Sequence, residues 1–400
     1  MTEVKTIVIC GPFKFPYGDA GANRVLEIAK TLRLANRKVL VIGTGTLRKE
    51  DRVSDGTFCC EGITYDSIYN EDIKKLYRAC KLLTGGIAYL SVINKHKIKA
   101  VEAIISYGGY VSGNYLLFPI VKWIRKEKFI VDVVEWYSPE QFKYRYFNFS
   151  YIDAQIGVRF LYPRVKNLIT ISKFLEKYYR EMGCNVVNIP PLTSLSDESY
   201  PKSKKIIENR GKLKLIYAGS IGKKDFLDKI LIGLSLLSSE KIKMIEMNIY
   251  GSTEREIEKY MDKNKLAFNK IRHSVFVHGK VKKSDVLKAI SNSHFTVLLR
   301  PQQRYSQAGF PSKIPESLAL GTPVILNYSS DLALYIKNEV EGLVVQDFTP
   351  EAFAETINDA LNLDETKVNF MREMAKEKAI TCFHPLKFFD KMNKFLKEIK

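Results

Sequence analysis

A loop with two glycines follows the first apolar run of the chain. Thr6–Cys10 is short, β-branched and wholly apolar, which is typical of a strand buried on both faces. The loop after it contains Gly18 and Gly21 and leads into a helical pattern. Amides of such a loop, with the N-terminus of the next helix, attract anions such as phosphate. The two glycines alone do not distinguish a phosphate-binding loop from an ordinary turn.

A second glycine loop carries lysines. It follows the apolar run Leu213–Tyr217, which predicts another buried strand. The loop residues are Gly219, Ser220, Ile221, Gly222, Lys223, Lys224 and Asp225. The adjoining glycines disfavour the interpretation of Lys224 as an ordinary solvated lysine at a helix start. Asp225 is interpreted most simply as the N-cap of the helix that follows.

The segment from Arg300 to Gly321 predicts a short helix after a further loop. Ser312 is a suitable N-cap, Pro315 falls in the first turn, and Gly321 suits the position just after the helix. We expect the N-terminus of this helix to open toward the glycine loop.

Strands alternate with helices throughout both halves, which predicts α/β architecture with doubly wound parallel sheets. Further strands are predicted at Lys38–Ile42, Ala103–Ser106, Phe129–Val134, Asn167–Thr170, Lys243–Tyr250, Ser274–His278, Phe295–Leu299 and Thr322–Leu326. We predict a first Rossmann-like domain at 1–190, a linker at 191–210 and a second Rossmann-like domain at 211–380. Residues 381–400 are predicted to form a helix that packs back on the first domain. Two such domains would face a cleft, where ligands bind.

Composition indicates a soluble globular protein with anionic partners. The 400 residues are 46% hydrophobic and carry a formal charge of +19, which is +9 in residues 1–200 and +10 in residues 201–400. No run approaches the length of a membrane span, and the start of the chain is unlike a signal peptide. Six cysteines without a C-x-x-C pattern are typical of free core thiols in a reducing cytoplasm. Anionic partners include nucleotides, nucleic acid and acidic membrane.

Three sequence blocks together resemble the retaining glycosyltransferases of GT-B fold, and specifically glycosyltransferase family 4 and its subgroup for capsule and exopolysaccharide synthesis. The blocks are Asp132–Trp136, Tyr217–Asp225, and Ala308–Lys313 leading into Glu316–Ile325. The likeness extends over nearly the whole chain.

The resemblance implies a nucleotide-sugar site in the cleft. Its residues would be Gly18, Gly21, Gly219, Lys223, Lys224, His278, Gly279, Lys280, Arg304, Gly309, Phe310, Ser312, Lys313 and Glu316. Glu316 would accept hydrogen bonds from the ribose. Amides around Gly309, Phe310 and Ser312 would hold the diphosphate with Lys224, and Lys223 would assist. The base would lie near His278.

Three positions depart from the family pattern. Ala308 stands where a glutamate usually binds the transferred sugar, and Ser220 stands where an arginine is common. Arg300 and Arg304 are candidates to supply that missing charge. A histidine is typical near the end of the strand at 131–136, where this chain has Asp132 or Glu135. Lys224, Glu135 and Arg300 are therefore the catalytic candidates, and Glu135 is either a base or nucleophile or a carboxylate paired with a neighbouring cation.

The resemblance implies transfer of a sugar from a nucleotide diphosphate sugar, UDP before GDP, with retention of configuration. The acceptor would be a glycan or a polyprenyl-diphosphate-linked sugar. No Asp-x-Asp motif is visible, so we expect no metal and no cofactor beyond the co-substrate. The alternatives are an epimerase or hydrolase of the same fold, or a non-enzymatic basic protein that binds nucleic acid or membrane; nucleic acid is not the expected partner.

The segment Gln141–Lys166 interleaves eight aromatic with five basic residues and one acid. This mixture favours the interface of an anionic membrane, which would place a cytoplasmic protein at the inner face of the plasma membrane. Stacking of single-stranded nucleic acid is a second interpretation. The third is that half the aromatic residues are core.

Overall fold

The computed structural model describes residues 5–68, 85–98, 100–108, 117–194, 211–222 and 224–399. The chain forms two compact units. Unit 1 comprises Met1–Leu192, Ala308–Phe310 and Pro385–Lys400, and unit 2 comprises Thr193–Gln307 and Pro311–His384. Of the residues proposed above, Lys223 and most of the expected linker, 195–210, lie outside the described ranges.

Unit 1 is built on an eight-stranded sheet in the order β3-β4-β2-β1-β5-β6-β7-β8. Its strands are β1 (Thr6–Cys10), β2 (Lys38–Gly43), β3 (Phe58–Cys60), β4 (Ile63–Ser67), β5 (Val101–Tyr107), β6 (Lys128–Val133), β7 (Asn167–Thr170) and β8 (Asn185–Asn188). Central β1 pairs in parallel with both β2 and β5, so that Ile9 lies between Val41 and Ile105. The short antiparallel pair of β3 and β4 at one edge was not predicted, because β3 has only three residues and β4 contains the polar residues Thr64, Asp66 and Ser67.

The helices of unit 1 are α1 (Ala20–Leu34), α2 (Gly85–Lys95), α3 (Phe149–Ile156), α4 (Tyr162–Val165) and α5 (Lys173–Glu181). π-Helical turns at Ile120–Arg125 and Gly157–Leu161 and 3-10 turns at Lys49–Asp51, Pro139–Gln141 and Arg145–Phe147 complete the unit. The Asp19 carboxylate caps α1 by accepting from the amide of Ala22 at 2.8 Å. The apolar face of α1 packs on β1 and β2, which fixes the glycine loop that precedes the helix.

Unit 2 has a six-stranded sheet in the order β11-β10-β9-β12-β13-β14, with parallel pairing between the strands. The strands are β9 (Leu213–Ala218), β10 (Ile245–Tyr250), β11 (Val275–Gly279), β12 (Phe295–Leu298), β13 (Val324–Leu326) and β14 (Gly342–Val344). The helices are α6 (Leu227–Leu236), α7 (Ser239–Lys243), α8 (Glu254–Tyr260), α9 (Lys265–Ile271), α10 (Lys283–Ser291), α11 (Arg304–Ala308), α12 (Lys313–Ala319), α13 (Pro350–Leu361) and α14 (Glu365–Cys382). Shorter 3-10 turns lie at Asp262–Asn264, Arg272–Ser274 and Leu332–Leu334.

The chain ends in a 3-10 turn, Pro385–Phe388, and a last helix, α15 (Phe389–Glu398). Met392, Phe395 and Leu396 of α15 are buried in the same hydrophobic cluster as the residues of α1. The Lys128 ammonium donates to the carbonyl of Leu396 at 2.8 Å, which ties the helix end to the start of β6. The end of the chain is therefore part of the core of unit 1.

The two parallel-sheet α/β units confirm the predicted fold class, and strand ends differ from the predictions by one or two residues. No helix in the described ranges combines the length and the apolar character needed to cross a membrane. The five cysteines that fall in those ranges form no disulfide, and burial raises the pKa of the Cys10 thiol to about 12. The sixth, Cys80, lies outside them.

Candidate functional site

Three glycines lie side by side at the carboxyl edge of the unit 2 sheet. Gly219 follows β9, Gly251 follows β10, and Gly279 ends β11. The Gly251 amide donates to the Gly279 carbonyl at 2.7 Å, and a Cβ on Gly251 would lie 2.8 Å from the Gly219 carbonyl group. Position 251 requires glycine for two reasons, namely its positive φ of +97° and this close approach to the backbone of Gly219.

A cavity of about 460 Å³ opens beside these glycines. Its lining residues are Ser220, Ile221, Gly251, Ser252, Glu256, Lys259, Tyr260 and Lys280. A volume of this order suits a small organic ligand. The cavity therefore lies at the edge of a parallel sheet where α/β proteins bind their ligands.

The strand order places the direction change of the sheet between β9 and β12. From β9 the chain proceeds outward through β10 and β11, and then returns to β12 on the other side of β9. Ligands of doubly wound sheets bind at this crevice, beyond the carboxyl ends of the two strands. Gly219 follows β9 there, and Arg300 follows β12.

A buried cluster of charges occupies the crevice. The Asp225 carboxylate accepts from Arg300 Nε at 2.7 Å and from Lys313 Nζ at 2.6 Å. The Tyr217 hydroxyl donates to the same carboxylate at 3.0 Å. The charged side chains are only 10–15% exposed. The expectation that Asp225 caps α6 is wrong: the N-cap position belongs to Phe226, and Asp225 joins two basic side chains instead.

The pKa values in this cluster follow from burial and charge together. Burial by itself raises the pKa of the Asp225 carboxyl, but the charges and hydrogen bonds of Lys313 and Arg300 outweigh it, so the pKa lies well below its usual range. Burial lowers the pKa of the Lys313 ammonium, against the attraction of Asp225. With Arg300 and Lys313 protonated and Asp225 ionised, the cluster carries one net positive charge.

Lys313 also explains why position 219 is glycine. Its ammonium lies 4.3 Å from the ring centroid of Tyr217 and 2.7 Å from where a Cβ on Gly219 would be. A side chain at position 219 would force the end of the Lys313 side chain to shift. The backbone of Gly219 and the charge of Lys313 therefore depend on each other.

The structure describes only part of the second glycine loop, residues 219–225, which we call the lysine loop. Lys224 is half-buried directly before Asp225. Ser220 is exposed and lines the cavity. Because Lys223 is outside the described residues, its expected contact with phosphate stays a prediction.

Glu316 lies on α12, four residues after the N-cap position of that helix. Its carboxylate is half-buried and lies 3.4 Å from the ammonium of Lys283 on α10. A carboxylate held by one cation keeps free acceptor positions for ribose hydroxyls. Its side chain is 24% exposed, so Glu316 is not an ordinary solvated glutamate on a helix surface.

The predicted ends of α12 are confirmed only at the C-terminus. Gly321 adopts a φ of +67° just past the helix, as expected. Ser312 stands at the N-cap position, but its φ and ψ are already helical and its hydroxyl makes no capping hydrogen bond. Pro315 has no amide to offer that hydroxyl, and the amide of Ile314 donates to the Pro311 carbonyl at 3.0 Å instead.

His278 is fixed by its neighbours in β10. Its ring stacks on Tyr250 at 4.3 Å, and its Nε2 lies 2.7 Å from Asn248 Oδ1. Desolvation lowers the pKa of the imidazole. Beyond the ring, no atom lies within 4 Å of a Cβ built on Gly279, and Lys280 lines the cavity. Open space is thus available where the base is expected.

The segment that follows Arg300, which is expected to hold the diphosphate, is divided between the two compact units. Arg304 begins α11 in unit 2 and is half-buried, whereas Gly309 and Phe310 are buried and grouped with unit 1. Within unit 1 the Ser172 hydroxyl donates to the carbonyl of Ala308 at 2.7 Å. Their joint contact with a diphosphate stays a prediction.

The glycine loop of unit 1 also lies at a direction change, between β1 and β5. A Cβ on Gly18 would lie 2.5 Å from the Lys14 side chain, and one on Gly21 would lie 3.0 Å from the Tyr107 hydroxyl. The loop folds tightly on itself at Gly18, whereas Gly21, expected in the loop, lies in the first turn of α1 and packs against the end of β5. The glycines therefore have a packing reason whether or not the loop binds phosphate.

The two acidic residues of β6 and its extension differ in environment. Asp132 is buried and forms a bidentate ion pair with Arg24 of α1, at 2.7 and 2.8 Å. Arg24 continues to the carbonyls of Ile189 and Pro190, so Asp132 is part of the framework. Glu135 is half-buried and lines a narrow cavity with Tyr137. Of the two, Glu135 is the less buried, and its catalytic role stays a prediction.

Sequence reasoning missed Asp225 and Lys283 as partners of the expected binding residues, and it gave Lys313 no stated role. The three charges of the cluster come from positions 225, 300 and 313, which no local pattern connects. The sequence did contain a hint of this cluster. Arg300 and Lys313 flank a loop, and Ser220 stands at the position where the resembling family commonly has an arginine. In the described ranges, no group of three or more His, Cys, Asp or Glu side chains is arranged to hold a metal ion.

Comparisons with known proteins agree with this architecture. Residues 200–378 match the family model "Glycosyl transferases group 1". No curated protein sequence matches the chain.

Solved structures match over almost the full length. Sucrose-phosphate synthase from Thermosynechococcus elongatus is 14% identical with a TM-score of 0.73, and the match covers 98% of each chain. HepE from Anabaena, solved with UDP and glucose, is 13% identical with a TM-score of 0.69, covering 98% of this chain and 99% of that one. A glycosyltransferase from Rickettsia africae is 17% identical with a TM-score of 0.67, covering 99% and 98%. The chain thus has the GT-B fold, and its residues 200–378 are similar to the glycosyltransferase group 1 domain.

Proposed function

We propose that this protein is a retaining glycosyltransferase of family 4 that uses a UDP-sugar in the synthesis of a surface polysaccharide such as a capsule. The observation that carries the proposal is the net positive cluster of Arg300, Asp225 and Lys313 at the crevice of the group 1 domain. The match of residues 200–378 and the UDP complexes of the Anabaena protein support it. The acceptor is a glycan or a lipid-linked sugar, taken by unit 1.

In this proposal, the base, the ribose and the diphosphate of the donor each contact different residues along the carboxyl edge of the unit 2 sheet. The uracil lies in the open space beside Gly279 and His278, and the ribose hydroxyls donate to Glu316. The diphosphate meets Arg300, Lys313 and Lys224. Each assignment pairs a ligand group with a complementary protein group.

The charge that develops in the reaction explains the cations. As the bond between the anomeric carbon and the diphosphate oxygen breaks, its electron pair leaves with the phosphate. The acceptor oxygen forms the new bond on the same face of the sugar, and its proton passes to the departing phosphate oxygen, with no protein nucleophile. Fixed cations that meet the growing negative charge lower this barrier, which is electrostatic stabilisation of the transition state.

The test begins with a panel of UDP- and GDP-sugars screened by thermal shift on the full chain, since a ligand of the folded state raises its melting temperature. The sugar that binds is then incubated with and without candidate acceptors. UDP release that depends on an acceptor, with the anomeric configuration retained by NMR, supports the proposal. Conversion without acceptor points to an epimerase or hydrolase, and failure of every nucleotide sugar to bind overturns the proposal.

Metal dependence is measured in the same assay. We expect EDTA to leave the initial rate unchanged, because the diphosphate charge is met by side chains. Loss of activity in EDTA that manganese restores would refute this part of the proposal.

A further inference from the structure

The segment Gln141–Lys166 in unit 1 presents an apolar and basic surface. Of its eight aromatic side chains, three are buried or half-buried and five are exposed. The exposed ones are Tyr144, Tyr146, Phe147, Phe149 and Phe160. Phe147, at the tip, is 90% exposed. The interpretation that half of the aromatic residues are core overestimates the buried share, because Tyr162 is buried and Phe142 and Tyr151 are half-buried.

The helical part of the segment has two distinct faces. Residues 149–165 run through α3, a π turn and α4 without a break. Phe149, Ile152, Ile156 and Phe160 recur at helical spacing on the outer side, while Val158, Leu161 and Tyr162 are buried on the inner side. The Tyr179 hydroxyl, which donates to the carbonyl of Val158 at 3.1 Å, anchors the inner side to α5. The outer apolar side is not needed to hold the segment in place.

All five basic residues of the segment are exposed, namely Lys143, Arg145, Arg159, Arg164 and Lys166. The one acid, Asp153, is only 4% exposed and does not reach this surface. The surface thus combines protruding aromatic and aliphatic side chains with an excess of positive charge. We call it the aromatic-basic surface.

We propose that the aromatic-basic surface docks on the headgroup region of an anionic lipid bilayer. Aromatic rings favour the boundary between headgroups and acyl chains, and Lys and Arg are attracted by acidic lipids. Amphipathic helices that lie in the membrane plane combine these features.

Charge and shape disfavour a second copy of the chain, or single-stranded nucleic acid, as the partner of this surface. A symmetric contact with a second copy would oppose five positive charges to five identical ones. Single-stranded nucleic acid uses flat rings on which bases stack. The outer stripe here includes the aliphatic side chains Ile152 and Ile156, which offer no such platform but insert well among acyl chains. The inference does not depend on the proposed transferase activity.

The experiment is co-sedimentation of the full chain with vesicles of phosphatidylcholine, with and without phosphatidylglycerol. We expect binding to the acidic vesicles at low salt and a progressive loss as salt is added. Two double variants test the two components, Lys143→Glu with Arg145→Glu and Phe147→Ser with Phe160→Ser. Each should lower vesicle affinity at least about tenfold. Their thermal unfolding should match that of the unmodified protein, because the substituted side chains are exposed.

The matched controls lie on α9 and the turn before it. Lys263→Glu with Lys265→Glu changes the charge equally, and Leu266→Ser removes an apolar side chain that is 89% exposed. We expect both controls to bind vesicles like the unmodified protein. Absence of binding to acidic vesicles, or equal losses in the surface and control variants, would overturn the proposal. Two further results would overturn it if the unmodified protein does not bind acidic vesicles. One is binding to single-stranded RNA that the surface variants abolish, and the other is a dimer in sedimentation velocity that the surface variants abolish.

Discussion

The ammonium of Lys313 lies 2.6 Å from Asp225 Oδ2, although 88 positions separate the two residues in the chain. Asp225 lies in the loop before α6, and Lys313 is the first residue of α12. The ion pair joins the lysine loop to the helix that carries Glu316. It therefore both holds the proposed nucleotide site of unit 2 together and forms part of its binding surface.

Asp225→Asn should destabilise the protein at neutral pH, because it leaves Arg300 and Lys313 buried without a counter-charge. We expect a loss of about 3 kcal/mol in the free energy of unfolding. The folded-state pKa of Asp225 lies below its unfolded value of about 4. Its contribution is thus fully present above that value and is lost as pH falls through the folded pKa.

Urea unfolding at several pH values measures this difference. The difference in the free energy of unfolding between the unmodified protein and Asp225→Asn should become smaller in acid. The exposed control Asp262→Asn should differ little from the unmodified protein at any pH. A gap that stays constant down to pH values well below 4 would contradict the assigned ionisation.

Glu316→Gln should weaken donor binding about tenfold and leave the fold intact, because an amide is a poorer acceptor for two ribose hydroxyls than a carboxylate. Glu355→Gln, an exposed helical glutamate on α13, is the matched control. Calorimetry with UDP measures both. Unchanged affinity for UDP in Glu316→Gln would show that the carboxylate serves only its contact with Lys283.

Substitution of two neighbouring glycines should separate packing from binding. Gly251→Ala should destabilise by about 3 kcal/mol, because its Cβ would clash with the backbone of Gly219 in addition to its positive φ. Gly279→Ala meets open space and should cost about 1 kcal/mol, from its positive φ alone. Thermal unfolding and UDP titration should show Gly279→Ala folded but weaker in binding. A Gly279→Ala protein with full affinity for UDP would move the base to another place.

Lys224→Ala should lower turnover by about a hundredfold or more while changing donor affinity much less, since a cation that meets the departing diphosphate acts chiefly in the transition state. Lys265→Ala on α9 is the exposed control. Initial rates at saturating donor, together with the dissociation constant for UDP, separate the two effects. A parallel fall in both would assign Lys224 to ground-state binding.

His294 should make the protein less stable in mild acid. Its Nδ1 accepts from the amide of Lys214 at 2.9 Å, and burial lowers the pKa of the ring to about 4. Between pH 6.5 and 4 the unfolded chain takes up a proton that the folded protein refuses, so stability falls across that window by about 3 kcal/mol at most. In urea unfolding, His294→Gln should flatten this slope and the exposed control His273→Gln should keep it. Equal slopes in all three proteins would exclude His294 as the source.

The sequence by itself determined the α/β class and the positions of most strands, including Thr6–Cys10 and Asn167–Thr170 at their observed ends. These runs were readable because a strand buried on both faces must be continuously apolar. The helical pattern after the first glycine loop corresponds to α1, and the helix expected after Asp225 corresponds to α6. The glycine at position 321 marked the end of α12 through its left-handed backbone.

Only the tertiary structure decided which charges meet. Ser312 and Asp225 both have the local chemistry of a helix cap, yet neither caps a helix. Asp225 pairs with Arg300 and Lys313, because strand order brings the end of β12 and the start of α12 beside the loop after β9. Likewise, the sequence of Gln141–Lys166 left a partial core open beside a membrane-facing surface, and packing of one helical face against Tyr179 turned the other face outward. Local pattern fixes what each segment can do, and long-range packing selects its partner, since the energy of burying a charge depends on neighbours distant in the chain.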